Sequence, residues 1–105
     1  MKELLTIAMP VYERADFIKE ALESALCQTP PVNIMVVDNA SIKTDFKALI
    51  AAYDPSRITY HRNPKNLGVH ANFNQCIKLC PTPYVLILHD DDVLEPDYIE
   101  RLSQQ

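Results

Sequence analysis

The sequence predicts an α/β fold, a mainly parallel four-stranded sheet with helices on both faces. Three observations carry this reading. The hydrophobic period switches repeatedly between strand-like and helix-like along the 105 residues. Each strand-sized apolar run ends in polar residues, and no repeat, low-complexity tract or linker breaks the alternation. The order βαβαβαβ implies parallel strands joined by right-handed crossovers, with helices packed on the sheet.

Leu4 to Met9 is a short apolar run ended by Pro10, as expected of a buried strand. Phe17, Ile18, Ala21, Leu22, Ala25 and Leu26 recur at helical spacing until Pro30-Pro31 stops the helix. Ile34 to Val37 forms a second buried strand ending at Asp38. Phe46, Leu49, Ile50 and Tyr53 mark a second helix, for which Thr44 or Ser41 is the expected N-cap. Arg57 to His61 reads as a third strand. Val69, Phe73, Cys76, Ile77 and Cys80 share the inner face of a third helix closed by Pro81 and Pro83. Tyr84 to Leu88 is a fourth strand running into His89-Asp90-Asp91-Asp92, and Pro96 opens a short helix over Asp97 to Leu102. In open parallel sheets ligands bind outside the carboxyl ends of the strands. The informative segments are therefore Pro10-Val11-Tyr12-Glu13, Asp38-Asn39-Ala40-Ser41 and the acidic run at 89–92, which converge at one edge of the sheet.

Composition narrows the chemistry. Ten Lys plus Arg against fourteen Asp plus Glu give a net charge of −4, which argues against nucleic acid as a partner. A single glycine excludes glycine-rich phosphate cradles. Cys27, Cys76 and Cys80 are an odd number without CxxC spacing, and read as small core hydrophobes in a reducing cytoplasm. The apolar stretches are too short to span a bilayer, and Glu3 and Pro10 make the first residues a poor signal peptide. The expected location is cytoplasmic, membrane-peripheral if a longer protein surrounds this chain.

Each candidate group has two readings. Three adjacent carboxylates, Asp90, Asp91 and Asp92, repel one another unless a cation sits among them, and oxygen ligands suit Mg²⁺ or Mn²⁺. They are equally a solvated acidic turn capping the next helix. Asp38 can accept from a base N–H or a ribose hydroxyl, or simply form an Asx turn, and Ser41 has the same capping alternative. Gly68, the lone glycine, marks a close backbone approach or a positive φ. Asn66 caps the following helix or faces a ligand, and Lys65 reaches a phosphate or stays solvated. His89 is a metal neighbour, a hydrogen-bonding spacer or a strand-end residue.

Four segments together give a resemblance. IAMPVYERADFIKEALESALCQ, VVDNAS, NPKNLGVHANFNQCIKLC and YVLILHDDDVLEPD occur in this order over nearly the whole chain. They resemble the Rossmann-like, nucleotide-binding half of the family 2 glycosyltransferases, which have the GT-A fold. The resemblance implies that residues 1–105 are the nucleotide-sugar-binding part of such a domain, with the acceptor half absent. It implies that Pro10, Val11, Tyr12 and Glu13 line the base and ribose, that Asp38, with Asn39 and Ser41 beside it, contacts the nucleotide, and that Asn66 and Gly68 flank the base. It places Asp91 on the usual metal contact, Asp92 in the ribose or metal shell, and Asp90 in the spacer slot on the nucleotide side. Four positions depart from the family pattern: His89 at the first aspartate of D-x-D, Glu13 at a common asparagine, Asn39 at a second acidic residue, and Phe73 at a common arginine.

The activity so implied is inverting transfer from a nucleoside-diphosphate sugar, uridine-based by preference, to a saccharide or lipid-linked acceptor hydroxyl. Mg²⁺ or Mn²⁺ would bridge the diphosphate. The setting implied is cell-envelope polysaccharide biosynthesis. The general base is expected beyond residue 105, because the segment after Asp92 reads as one short helix, and a homodimer through the exposed sheet edge is expected. Two other classes compete. A haloacid-dehalogenase-like phosphohydrolase would use Asp90 as nucleophile and Asp92 as acid/base, with Leu94 at the fifth motif position. A non-catalytic nucleotide-binding or interaction module would keep the fold alone.

Overall fold

The computed structural model describes residues 2–104. Strands β1 (Leu5–Val11), β2 (Asn33–Asp38), β3 (Ile58–Arg62) and β4 (Tyr84–Ile87) form one sheet in the order β3-β2-β1-β4, and every pair is parallel. Helices α1 (Ile18–Leu26), α2 (Phe46–Ile50), α3 (Val69–Leu79) and α4 (Tyr98–Ser103) alternate with them. The chain steps outward from β1 to β3, and α3 then carries it back to β4 on the far side of β1. That reversal is a topological switch point, and it opens a crevice beyond the carboxyl ends of β1 and β4. Among the described residues no helix is long and apolar enough to cross a membrane.

The period-2 alternation of β1 divides the core. Leu5, Ile7, Met9 and Val11, with Ile34 and Val36 of β2, join Ile18, Leu22 and Ala25 of α1, Phe46 of α2 and Ile99 of α4 in the larger cluster. Ala8, Met35 and Val37 face the other way, against Cys76 of α3. Both sheet faces are covered, which is why these strands read as unbroken apolar runs.

Three details differ from the sequence expectation. Pro10 does not end β1. It pairs with Val37 of β2 and lies two residues past the last β1–β4 pair, Ala8 with Ile87. The Leu4 and Ala8 carbonyls accept from Tyr84 and Leu88, so Pro10 falls on the β4 side where the ladder has already stopped and its missing N–H costs nothing. The buried stripe of α3 runs through Asn72, Cys76 and Leu79, while Val69 and Ile77 are 70% and 59% exposed. The helix is turned because a polar residue, Asn72, takes a place on the sheet side. Finally, α2 is capped by Asp45, whose Oδ1 accepts from the Ala48 N–H at 3.0 Å. The Ser41 and Thr44 hydroxyls are engaged elsewhere, both with Glu13.

Two polar ties fix the loops around the crevice. The first is Gln28, only 3% exposed. Its Nε2 donates to the Ser24 and Glu95 carbonyls at 3.1 and 2.7 Å, and its Oε1 accepts from the Ile99 N–H at 2.9 Å. Ser24 Oγ accepts from the Leu94 N–H at 3.1 Å. The end of α1 thus holds the segment after the acidic run. The second tie is Glu13, in the left-handed region at φ 58°. Its N–H donates to Ser41 Oγ at 2.7 Å, and its carboxylate accepts from the Ile42, Lys43 and Thr44 N–H groups at 2.7, 2.8 and 3.2 Å. The Ile42 bond above all, helped by Lys43 and Thr44 against some desolvation, holds this carboxylate below its ordinary pKa.

Gln28→Ala leaves the Ile99 N–H and the Glu95 carbonyl without their buried partner. It should cost about 2 kcal/mol, read as a lower urea midpoint at unchanged slope. The Glu13 strap has the opposite pH sense to a histidine switch. Its folded pKa is lowered, so its contribution is complete above the unfolded value of about 4.3 and is lost as pH falls through the folded value. The amide resonances of Ile42, Lys43 and Thr44 should titrate together in that acid window, and Glu13→Gln should abolish the titration. Resonances that stay fixed across the window would refute the strap.

Candidate functional site

At the switch point lies a cleft of about 240 Å³, walled by Pro10, Val11 and Tyr12 of the β1 end, Asn39 after β2, and His89 and Asp90 after β4. Asn72 and Phe73 of α3 close it. The Phe73 ring meets His89 edge-on, with centroids 5.4 Å apart and planes at 74°. Tyr12 is 46% exposed, so its ring remains available to a flat partner.

A second cleft of about 300 Å³ lies outside β2 and β3, bordered by Asp38, Ser41, Ile42, Thr44, Tyr60 and Arg62. The sequence candidates therefore divide. Pro10, Val11, Tyr12, Asn39 and Asp90 gather in the first cleft, Asp38 and Ser41 in the second, and Glu13 straps the second cleft's 42–44 loop to the first cleft's β1 turn. Asp38 is 1% exposed. Its Oδ1 accepts from the Ser41 N–H at 3.0 Å, which is the Asx turn, and its Oδ2 accepts from the Tyr60 hydroxyl at 2.6 Å. Burial, followed by this bond to a carboxylate, pushes the Tyr60 phenol pKa up. Arg62 Nη2 donates to the Ser41 carbonyl at 3.1 Å.

Between the clefts runs a network of amides. Asn39 Nδ2 donates to Asn66 Oδ1 at 2.8 Å and to the Gly68 carbonyl at 3.3 Å. Its Oδ1 accepts from Asn63 Nδ2 at 3.1 Å and from the Leu67 N–H at 2.9 Å. Asn63, fully buried, also donates to Asn72 Oδ1 at 2.8 Å and accepts from Gln75 Nε2 at 3.1 Å. Asn72 Nδ2 donates to the Val37 carbonyl at 3.3 Å. An amide at 39 both donates to two oxygens and accepts from two N–H groups, which a carboxylate cannot do. Asn66 accepts from the Gly68 N–H at 2.8 Å and so shapes the start of α3, while Gly68 itself holds the N-cap position. Gly68 has φ 88° with nothing within 4 Å of a built Cβ, so backbone angle and not crowding explains the glycine. Asn63, Asn72 and Gln75 escape sequence reasoning, since scattered amides carry no periodic signal.

The acidic run already has its cation. Arg14 Nη2 lies 2.7 Å from Asp90 Oδ1 and 3.4 Å from Asp91 Oδ2. The hydrogen bond and charge of Asp90, then the charge of Asp91, raise the Arg14 pKa. Asp91 and Asp92 are exposed, and the Asp92 N–H donates to the His89 carbonyl at 3.1 Å. Arg14 also escapes sequence reasoning. Its signal is positional, as a cation directly after the β1 turn, facing the carboxylates that end the neighbouring strand. Among the described residues no group of three or more His, Cys, Asp or Glu could hold a metal ion. The oxygen donors present suit a site of one or two carboxylates completed by phosphate oxygens, the usual way Mg²⁺ is held.

Comparison with known proteins bears on the family and the fold. Chondroitin synthase of Escherichia coli is 31% identical over 98 residues, covering 92% of this chain and 14% of that protein. The chain spans between 14% and 36% of the length of the curated relatives it matches. Residues 1–349 of S. aureus TarS in complex with UDP-GlcNAc superpose with a TM-score of 0.82 at 21% identity, covering 96% of this chain and 30% of that one. The mannosyltransferase PcManGT of Pyrobaculum calidifontis, in complex with GDP-Man and Mn²⁺, gives a TM-score of 0.74 at 24% identity, covering 85% of this chain and 28% of that one. Both likenesses are of fold. The model of glycosyl transferase family 2 matches residues 6–105, and this chain belongs to that family.

Proposed function

We propose that this chain is the donor-binding part of a glycosyltransferase that takes a nucleoside-diphosphate sugar, uridine-based by preference, and delivers the sugar with inversion to a saccharide or lipid-linked hydroxyl. The observation that carries the reading is the cleft at the β1–β4 switch point, which gathers Pro10, Val11, Tyr12, Asn39 and Asp90. Fold neighbours bound to UDP-GlcNAc and to GDP-Man with Mn²⁺ support the donor class.

Each wall has a task under this reading. Pro10, Val11 and Tyr12 lie along the base and ribose, with the half-exposed Tyr12 ring against the base. Asn39 forms the opposite wall with Asn72 and Phe73, and Asn66 and Gly68, hydrogen-bonded to Asn39, flank the base. Asp38 and Ser41 hold the second cleft's loop in place, and Glu13 locks it to the β1 turn. Asp91, with Asp92 beside it, offers the carboxylate oxygens for Mg²⁺ or Mn²⁺. A metal held by these oxygens would supply charge neutralisation to the departing nucleoside diphosphate. A phosphohydrolase reading would need Asp90 free to attack, whereas its Oδ1 is paired with Arg14.

Calorimetry with uridine diphosphate tests the reading. Affinity should fall about tenfold when EDTA replaces Mn²⁺, and Asp91→Asn should weaken Mn²⁺-supported binding similarly. Equal affinity with EDTA and in the variant would reduce the acidic run to a capped turn. Asn39→Asp should cost about 2 kcal/mol of stability and weaken uridine as well as uridine diphosphate, because a carboxylate there faces the oxygens of Asn66 and Gly68.

A further inference from the structure

The Arg14 guanidinium stands in an unusual position for a surface arginine. It lines the cleft and is 51% exposed, yet one nitrogen is held by a carboxylate that is only 12% exposed. Its Nη2 makes both ion pairs, and no protein partner occupies Nη1 or Nε among the described residues. A guanidinium pinned at one corner and open at its other donors is preorganised to receive an oxyanion through a fork. The two carboxylates are unequal. Asp90 is close and buried, whereas Asp91 is 3.4 Å away and 45% exposed. Asp90 is thus the anchor and Asp91 the looser contact.

Charge says what the open donors would meet. A diphosphate entering this cleft approaches three consecutive carboxylates, and Arg14 is the one permanent cation among the described residues lining it. The β1 turn that carries Arg14 is itself held by the Arg14 N–H to the Tyr12 carbonyl at 2.6 Å, next to the proposed base wall.

We propose that Arg14 binds the diphosphate of the donor directly, with Asp90 as the positioning residue that holds its guanidinium, so that Asp91 remains for the divalent cation. The inference rests on the donor-binding reading above and adds to it a phosphate contact that acts independently of the metal. Asp90 then acts through Arg14 and does not touch the nucleotide.

Calorimetry with two probes, uridine and uridine diphosphate, in Mn²⁺ and again in EDTA, separates the possibilities. Arg14→Met should lower affinity for uridine diphosphate about tenfold in both conditions and leave uridine affinity unchanged. Arg14→Lys should recover part of the loss, since a point charge replaces the fork. Asp90→Asn should lose about threefold on the diphosphate probe alone, through a guanidinium no longer held. An unchanged ratio between the probes in Arg14→Met overturns the inference while the donor reading stands. An equal loss on both probes overturns it in favour of a structural role, and a loss confined to Mn²⁺ overturns it in favour of an effect through the metal. A wild-type chain that binds neither probe overturns the donor reading itself, and the inference with it.

Discussion

Strand β1 has to be buried on both faces and paired on both edges at once, and the rest of the molecule answers that demand. Ile7, Ala8 and Met9 are each fully buried. β2 occupies one edge and β4 the other, and one helical layer lies on each side. A strand so enclosed can present polar groups only past its end. The chemistry therefore begins where β1 leaves the sheet, at Val11 and Tyr12, with the Asn39 N–H donating to the Val11 carbonyl at 2.9 Å as the last tie.

Beyond that point apolar packing gives way to directional bonds. The Glu13 strap, the Asp38 turn and the five-amide network each satisfy buried or half-buried polar groups that the hydrophobic core cannot serve. Such networks favour one geometry over near alternatives because every member loses a partner if any one shifts. Neutral amides suit the purpose. They bring no charge into a wall that lies beside an already acidic mouth.

The strands and the convergence of their ends are legible in the sequence, because two-sided burial writes continuous apolar runs that end abruptly at polar residues. Interactions between distant segments are not. Arg14 and Asp90 are 76 positions apart, and only the strand order that sets β4 beside β1 brings them together. The facing of α3 departs from its apolar period because Asn72 holds a sheet-side position that periodicity reserves for an apolar residue. The cap of α2 departs from the expected Ser41 or Thr44 because Glu13, in a left-handed conformation at the end of the β1 turn, engages both hydroxyls, leaving Asp45 to cap. In each case local preference is sound and a tertiary partner overrides it.

The two sheet faces carry buried clusters of different size, and the smaller one lies beside the wall of the cleft. On the α3 side Ala8, Met35 and Val37 of the sheet meet Cys76 of the helix. There Asn72 reaches the Val37 carbonyl and joins the amides. The seating of α3 on the sheet is therefore a dimension of the binding wall, set by the side chains of this small cluster. Tolerance to change should be lopsided. The α1 face can trade one large aliphatic for another while the cleft keeps its shape, whereas added bulk beneath α3 lifts the wall with the helix. Diversification within such a fold has an easy side and a guarded side, and the guarded side is the one whose helix also bears the wall.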